Sequence, residues 1–307
     1  MTYNISDLPW PIRSRRSARI ETIAARLASL RHDGRQPHIV VLQEAFSDEA
    51  KRIGAKAGYR YVASGPARET QGAEARTEPD RIFARQAGYW TGERAGRLFD
   101  SGLVIFSDFP IVSVRSLPFP AFACAGFDCL ANKGIVMALV EVPGANDPVA
   151  IVDVHLNARR KSGVALDRAD YAFRRQLETI SLFVKANVPP DVPLILAGDF
   201  NIGTSAVRRH DADRQSRLWG LGRSMQQALG ECARIASAVA RRPAAGPAWS
   251  LKCDNDRQYA LSGHRTKFDM SGIAVPFGHD QYGDRLSDHV GYIVYYRRAS
   301  PSPNLDT

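Results

Sequence analysis

Hydrophobic positions along the chain follow two periods. Ile20, Ile23, Leu27 and Leu30 recur at the three/four spacing that makes one apolar helix face, and Leu177, Ile180 and Val184 repeat it within a long helix expected over 167–187. Between such stretches stand short apolar runs: Ile39–Leu42, Leu103–Phe106, Ile111–Val114, Gly134–Val142, Ala150–Leu156, Leu194–Ala197, Phe268–Val275 and Val290–Val294. Bounded by Gly, Pro or polar residues, these read as buried strands, and Ser47 before Asp48 and Glu49 reads as a helix N-cap. Helices alternating with strands predict an α/β fold. Residues 65–100 lack a period and are expected to form a long surface excursion that shapes a substrate groove. The stretch from Asn201 to Gly263 reads as helical and irregular, with an unassigned Pro/Ala segment near Arg242–Pro247. No Pro/Ser/Gly linker divides the 307 residues, so one domain over 1–298 is expected, followed by a flexible tail over 299–307.

Several of these runs end in polar residues. Leu194–Ala197 leads into Gly198-Asp199-Phe200-Asn201, and alternation along a strand lets Asp199 and Asn201 converge on one point. Ile39–Leu42 delivers Glu44, the run from Ala150 places His155 and Asn157 on one face, and Asn4 ends a short run at the start of the chain. Asp269 opens one late strand, and Asp288 with His289 precedes another. A carboxylate and an amide oxygen side by side are hard ligands suited to Mg²⁺ and to a phosphate held beside it. Taken singly, each residue is equally a turn, a helix-start charge or a satisfied buried side chain. Asn4, Glu44, His155, Asp199, Asn201, Asp269, Asp288 and His289 together exceed what a domain without a site would carry.

The formal net charge of +9, spread along the chain and carried mostly by arginine, suits an anionic partner and equally a soluble surface. No apolar run reaches the roughly 18–20 residues of a membrane span. Thr2–Ile5 already reads as a core strand, so no signal peptide is expected before it and the start reads as trimmed or misplaced. A secreted or periplasmic location, if a leader has been removed, and a cytoplasmic one both stay open. Cys124, Cys129, Cys232 and Cys253 lack zinc-site spacing and are read equally as buried thiols or as one or two disulfides.

In order along the chain, Thr2-Tyr3-Asn4, Leu42-Gln43-Glu44, His155-Leu156-Asn157, Gly198-Asp199-Phe200-Asn201, Lys267-Phe268-Asp269 and Ser287-Asp288-His289 resemble the motifs of the endonuclease/exonuclease/phosphatase superfamily, which includes deoxyribonuclease I. The fold this implies is a four-layer α/β sandwich, two packed mixed β-sheets flanked by helices, with the site at one edge of the sheets. Phe127-Asp128-Cys129-Leu130-Ala131-Asn132-Lys133-Gly134 looks like the Asp/Lys switch loop of neutral sphingomyelinases and of inositol phosphosphingolipid phospholipases C. Ser101–Ser107 followed by Phe109-Pro110-Ile111 is similar to the same phospholipase branch.

The resemblance implies a Mg²⁺-dependent phosphodiesterase, with Mn²⁺ or Co²⁺ as substitutes, acting on sphingomyelin or a related phosphosphingolipid. Glu44 with Asn4 would hold the ion, and Asp288 would contribute to a second. His289 would be the general base, oriented by Asp269. Asp199 and Asn201 would position water and a phosphoryl oxygen, His155 would bond the phosphate, and Lys133 with Asp128 would act on phosphate or headgroup, with Asn157 at the substrate. An endonuclease or exonuclease acting on nucleic acid, and a phosphoinositide-type phosphatase, share this set. No obligate protein partner is implied, and a catalytically dead binding protein is disfavoured because no expected member is replaced. The segment between Val275 and Leu286 is too short and polar for an aromatic membrane hairpin, so contact with lipid is expected from Trp10, Phe119, Phe122 and Phe127.

Overall fold

The structure is a computed structural model that describes residues 1–8, 16–220, 223, 225–228, 255–278 and 286–298. Its elements are β1 (Thr2–Asn4), α1 (Arg16–His32), β2 (Ile39–Gln43), α2 (Asp48–Lys51), α3 (Ile53–Lys56), β3 (Tyr61–Ser64), α4 (Glu78–Arg85), β4 (Val104–Ser107), β5 (Ile111–Pro118), a 3-10 turn (Gly126–Leu130), β6 (Gly134–Val140), β7 (Val149–His155), α5 (Leu166–Asn187), β8 (Leu194–Asp199), α6 (Ala206–Trp219), β9 (Gln226–Gln227), β10 (Asp256–Leu261), β11 (Phe268–Phe277) and β12 (Gly291–Arg298). The strands form two six-stranded mixed sheets, in the orders β11-β12-β1-β2-β4-β3 and β5-β6-β7-β8-β10-β9.

Strand alternation sorts the apolar side chains into layers. Val40 and Leu42 of β2 pack outward with Ile20, Ile23 and Leu27 of α1, while Val41 between them faces the other sheet. In the second sheet Ala150, Val152 and Val154 of β7 meet Phe173, Leu177 and Ile180 of α5. The alternate residues Val149 and Ile151 join Val41, Ala63 and Ile105 between the sheets. The expected four-layer α/β sandwich is therefore the observed architecture. Ser47 caps α2 as expected, accepting from Ala50 N.

Two parts of the chain depart from expectation. The excursion over 65–100 contains α4, capped by Thr77, whose Phe83 stacks on Tyr171 of α5 at 4.5 Å and whose buried Asp80 accepts from Tyr171 Oη at 2.7 Å. The stretch after Asn201 holds α6 but also β10, a strand whose Arg257 and Gln258 disguise it because both are buried beside apolar Tyr259, Ala260 and Leu261. The Pro/Ala segment, Cys232, Cys253 and the tail lie outside the described residues. Cys124 and Cys129 form a disulfide. Among the described residues, no helix is long and apolar enough to cross a membrane.

Below the second sheet, Phe200, Trp219 and Tyr259 pack at 5.2–5.7 Å between ring centroids, and Trp219 Nε1 donates to Ser181 Oγ. Trp219→Ala is expected to cost about 3–5 kcal/mol in urea unfolding. Leu182→Ala, at a residue 69% exposed, should stay within about 0.5 kcal/mol. Equal losses at the two positions would count against this packing.

Candidate active site

Parallel pairing fixes where the polar residues meet. β1 pairs parallel with β2 and β7 parallel with β8, so Asn4, Gln43, His155 and Asp199 all stand at carboxyl ends along one edge of the sandwich. Chain reversal brings in two more side chains: β10 runs antiparallel to β8 with Asp256 opposite Asp199, and His289 lies just ahead of β12, which pairs with β1. The edge opens into a cavity of about 1140 Å³ lined by Glu44, Asp128, Lys133, His155, Asp199, Asn201, Asp288 and His289, among others.

Inside it the carboxylates are bound to neutralising partners. Asn4 Nδ2 donates to Glu44 Oε1 at 2.9 Å and to Asp199 Oδ2 at 3.0 Å. Its oxygen accepts from Ser6 N at 2.9 Å, so the amide shows the carboxylates its NH₂ group. In this arrangement Asn4 positions two carboxylates. Lys133 Nζ sits 2.5 Å from Asp128 Oδ1, 3.0 Å from His155 Nε2 and 3.0 Å from Leu156 O, while Asp128 Oδ2 accepts from Ala158 N at 2.5 Å. Asn201 donates to Leu156 O at 2.9 Å, and its backbone N–H bonds Asp199 Oδ1 at 2.8 Å.

His289 Nδ1 lies 2.8 Å from Asp256 Oδ2, leaving Nε2 directed at Asp199 Oδ2, 3.7 Å away. Burial lowers the His289 pKa, but the charges of Asp256 and Asp199 outweigh it and hold the imidazole up to about 10. Burial raises Asp256 to about 6 against the pull of His289. Asp199 is also penalised by burial, yet His289, His155 and Asn4 bring it below its ordinary value. His155 is pushed well down, first by burial and then by the charge of Lys133, so it is neutral.

The partner of His289 is therefore Asp256, and the expectation of Asp269 is corrected. Asp269 stands opposite Arg297, at the far end of the β11–β12 pair from the end where Phe277 faces Gly291. Asp256 was missed because its strand was read as irregular: Arg257 and Gln258 separate it from the apolar Tyr259-Ala260-Leu261. Asn157 is corrected as well. It is fully buried, takes its oxygen to Ala125 N at 2.8 Å and its N–H to Gln176 at 2.7 Å, and so ties down the 123–126 loop away from the cavity. Asp288 lines the cavity but pairs with Lys161, and it belongs to neither of the two groups able to hold an ion. A further residue with no sequence signal is Arg208, wholly buried. Its guanidinium bonds Asp170 at 2.6 Å and the carbonyls of Asn157 at 2.6 Å and Asn201 at 2.8 Å, fixing the turns after β7 and β8. Among the expected lipid-facing aromatics, Phe119 is buried, Phe122 packs on the α4–α5 cluster and only Phe127 is exposed; Trp10 lies outside the described residues.

Two sets of donor atoms fall within 4.8 Å of one another, Glu44 with His155 and Asp199, and Asp199 with Asp256 and His289. The first fits a divalent cation. Glu44 Oε2 is buried with no protein partner, and burial raises the Glu44 pKa despite the Asn4 hydrogen bond. An oxygen anion desolvated and left unsatisfied is stabilised by a cation beside it. The arrangement offers a group of donors that fits a cation, an imidazole oriented by a carboxylate, and a lysine 3.0 Å from His155 on the same cavity wall.

With His289 raised, the unliganded protein keeps it charged through neutrality. Its contribution to stability is full below about 6.5, the unperturbed value, and is lost as pH rises through about 10. Asp256→Asn should bring the His289 midpoint down by at least about one unit in an NMR titration of the ring protons without metal, and Asp269→Ala should leave it in place. An unchanged midpoint in Asp256→Asn would sink this pairing.

No curated protein matches the chain in sequence. Similar solved structures include sphingomyelinase C from Streptomyces griseocarneus, at 22% identity with a TM-score of 0.59 over 97% of this chain and 98% of that one. A beta toxin variant from Staphylococcus aureus with bound magnesium ions is 16% identical, TM-score 0.55, covering 96% and 93%. TDP2 from D. rerio in complex with a single-strand DNA product is 15% identical, TM-score 0.58, covering 96% and 97%. At these identities the likeness shows the fold. In sequence, the model of the endonuclease/exonuclease/phosphatase family matches residues 1–290, nearly the whole chain, and the chain belongs to that family.

Proposed function

We propose that this protein is a divalent-metal-dependent phosphodiesterase, and specifically a phospholipase C that hydrolyses sphingomyelin or a related phosphosphingolipid to ceramide and a phosphorylated headgroup. The observation that supports the lipid assignment is the Asp128–Lys133 ion pair seated on His155 at the cavity wall, in the loop that resembles the switch loop of neutral sphingomyelinases. The similar fold of sphingomyelinase C from Streptomyces griseocarneus is consistent with it.

A phosphodiester repels attacking water by its charge, so the site must neutralise that charge, activate the water and stabilise the leaving alkoxide. Glu44 would hold the ion through the oxygen that lacks a protein partner, and Mg²⁺ suits such oxygen donors. When bound, the ion supplies Lewis-acid polarisation of a phosphoryl oxygen. His289 Nε2, facing into the cavity, would take the proton of the attacking water, with Asp256 holding Nδ1 protonated and the ring in place. To accept that proton His289 must first be neutral, which requires charge compensation at Asp199. Asn201 and Asp199 would orient the water. Lys133 would exchange part of its contact with Asp128 for a phosphoryl oxygen and, with neutral His155, meet the charge of the transition state.

A nuclease is the second reading, favoured by Arg160 and Lys161 on the cavity wall and by the net charge of +9. Phosphocholine release from sphingomyelin in mixed micelles, beside plasmid nicking on the same samples, separates them. Metal-dependent release abolished by EDTA is expected, with His289→Ala lowering kcat by at least about 10²-fold. Lys133→Ala is expected to cost about 10²-fold, with the plasmid intact. Nicking without lipid turnover would overturn the lipid assignment.

A further inference from the structure

Beside the cavity lies a pair of aromatic side chains that the catalytic machinery does not use. Trp90 is 90% exposed and Tyr89 70%, their rings edge to face at 5.6 Å. Trp and Tyr side chains usually bury most of their roughly 150–250 Å². Grouped exposed aromatics, unlike single ones, mark an interaction site.

The exposure is built rather than slack. Glu93 fastens the segment from below: its carboxylate accepts from Gly88 N at 2.5 Å, from Gly126 N at 2.9 Å and from Arg168 Nε at 2.7 Å. Arg168 in turn lies 4.1 Å over the Phe83 ring. The other end is held by Leu98 N and Phe99 N, both donating to Leu130 O at 2.7 and 3.0 Å. Between them Gly92 turns at φ +80°, where a Cβ would come within 3.3 Å of Leu130 and 3.4 Å of Phe127. The segment thus rests on the 3-10 turn, and Phe127, Asp128 and Leu130 of that turn are themselves cavity wall. Phe127, 54% exposed, lies against Gly92, two residues from Trp90, and Leu98, 53% exposed, is tied to the same turn through Leu130 O. Arg85 and Arg94 are exposed around it, and Arg160 stands on the wall itself.

We propose that Tyr89, Trp90, Leu98 and Phe127 form a bilayer-docking surface that seats the cavity mouth on the headgroup layer. An amphipathic indole and phenol ringed by arginines matches the chemistry of a lipid interface, where aromatic rings settle at headgroup level and cations meet anionic phosphates. The surface also explains how a soluble fold reaches a phosphodiester that stays in its membrane, and to that extent it rests on the lipid reading above. It replaces Phe119 and Phe122 as the contact, since both are occupied in packing.

The test uses the full chain in EDTA, co-sedimented with vesicles of phosphatidylcholine and phosphatidylserine, beside turnover with Mg²⁺ on sphingomyelin vesicles and on a water-soluble phosphodiester. Tyr89→Ala/Trp90→Ala is expected to weaken vesicle binding by about tenfold or more and to slow turnover on vesicles in parallel, with the soluble ester unaffected. Leu182→Ala, exposed on α5, serves as the control and should change neither. Unchanged vesicle binding in the double variant overturns the proposal, as does wild type that hydrolyses micellar sphingomyelin yet binds no vesicle. Vesicle binding lost in the variant, with no lipid turnover by wild type, would keep the surface and remove the phospholipase C assignment. Loss of soluble-ester turnover in the variant would overturn it too, since the loop would then be supporting the site rather than docking it. A protein that binds Trp90 without any vesicle affinity would assign the surface to a protein partner instead.

Discussion

Crowding of negative charge within a desolvated edge is the constraint on which the rest of this structure depends. Glu44, Asp199 and Asp256 are brought together by strand ends that ladder pairing and hydrophobic packing position, and each is penalised by burial. Carboxylates so placed persist only when charges and donors converge on them. Every polar neighbour has a share in that: the Asn4 amide bridges two carboxylates, Lys133 and His155 approach from β6 and β7, and His289 closes the ring against Asp256 and Asp199. Even so one Glu44 oxygen is left without a donor. The protein part of the site is electrostatically incomplete, and that deficit makes it a cation site.

Much of this edge was legible because strand alternation is local. Asp199 inherits its direction from Ala197 two residues earlier, and His155 from Ile151 and Asp153, all on the inter-sheet side of strands whose other face meets α5. Runs with that period announced their own ends. Asp256 was not legible, since its position depends on β10 pairing antiparallel to β8, a contact between residues 57 apart in the Asp256–Asp199 register, and β10 carries two more charged or amide residues, Arg257 and Gln258, that the interior accommodates. Asp269 misled for the same reason: a motif-like tripeptide shows type and order, while the direction of its strand decides which end meets the site. Asn157 shows the limit of alternation, because β7 stops at His155 and the chain turns before the next same-face residue. Arg208 sits on a helix with no apolar stripe of note and would pass for a solvated charge, yet it is the hub under the turns after β7 and β8.

The two loops above the cavity are tied to the scaffold by different chemistry. The turn bearing Asp128 is closed covalently by Cys124–Cys129 and gripped by Arg97, which donates to Cys129 O and to Ala121 O. The Tyr89–Trp90 segment is linked to that turn by backbone hydrogen bonds to Leu130 O and by the carboxylate of Glu93, which reaches both loops at once. The Asp128 turn and the Tyr89–Trp90 segment thus share one buried ionic junction, Glu93 with Arg168.

Ser6, Glu44 and Asn201 are the non-glycine residues with positive φ among the described ones, at 53°, 55° and 49°, and all three line the cavity. A left-handed backbone costs an ordinary L-residue roughly 1–2 kcal/mol, less for asparagine. At Glu44 a glycine would carry that backbone more comfortably, at the loss of the hydrogen bond from buried Asn4. Selection for stability and selection for chemistry therefore pull position 44 in opposite directions.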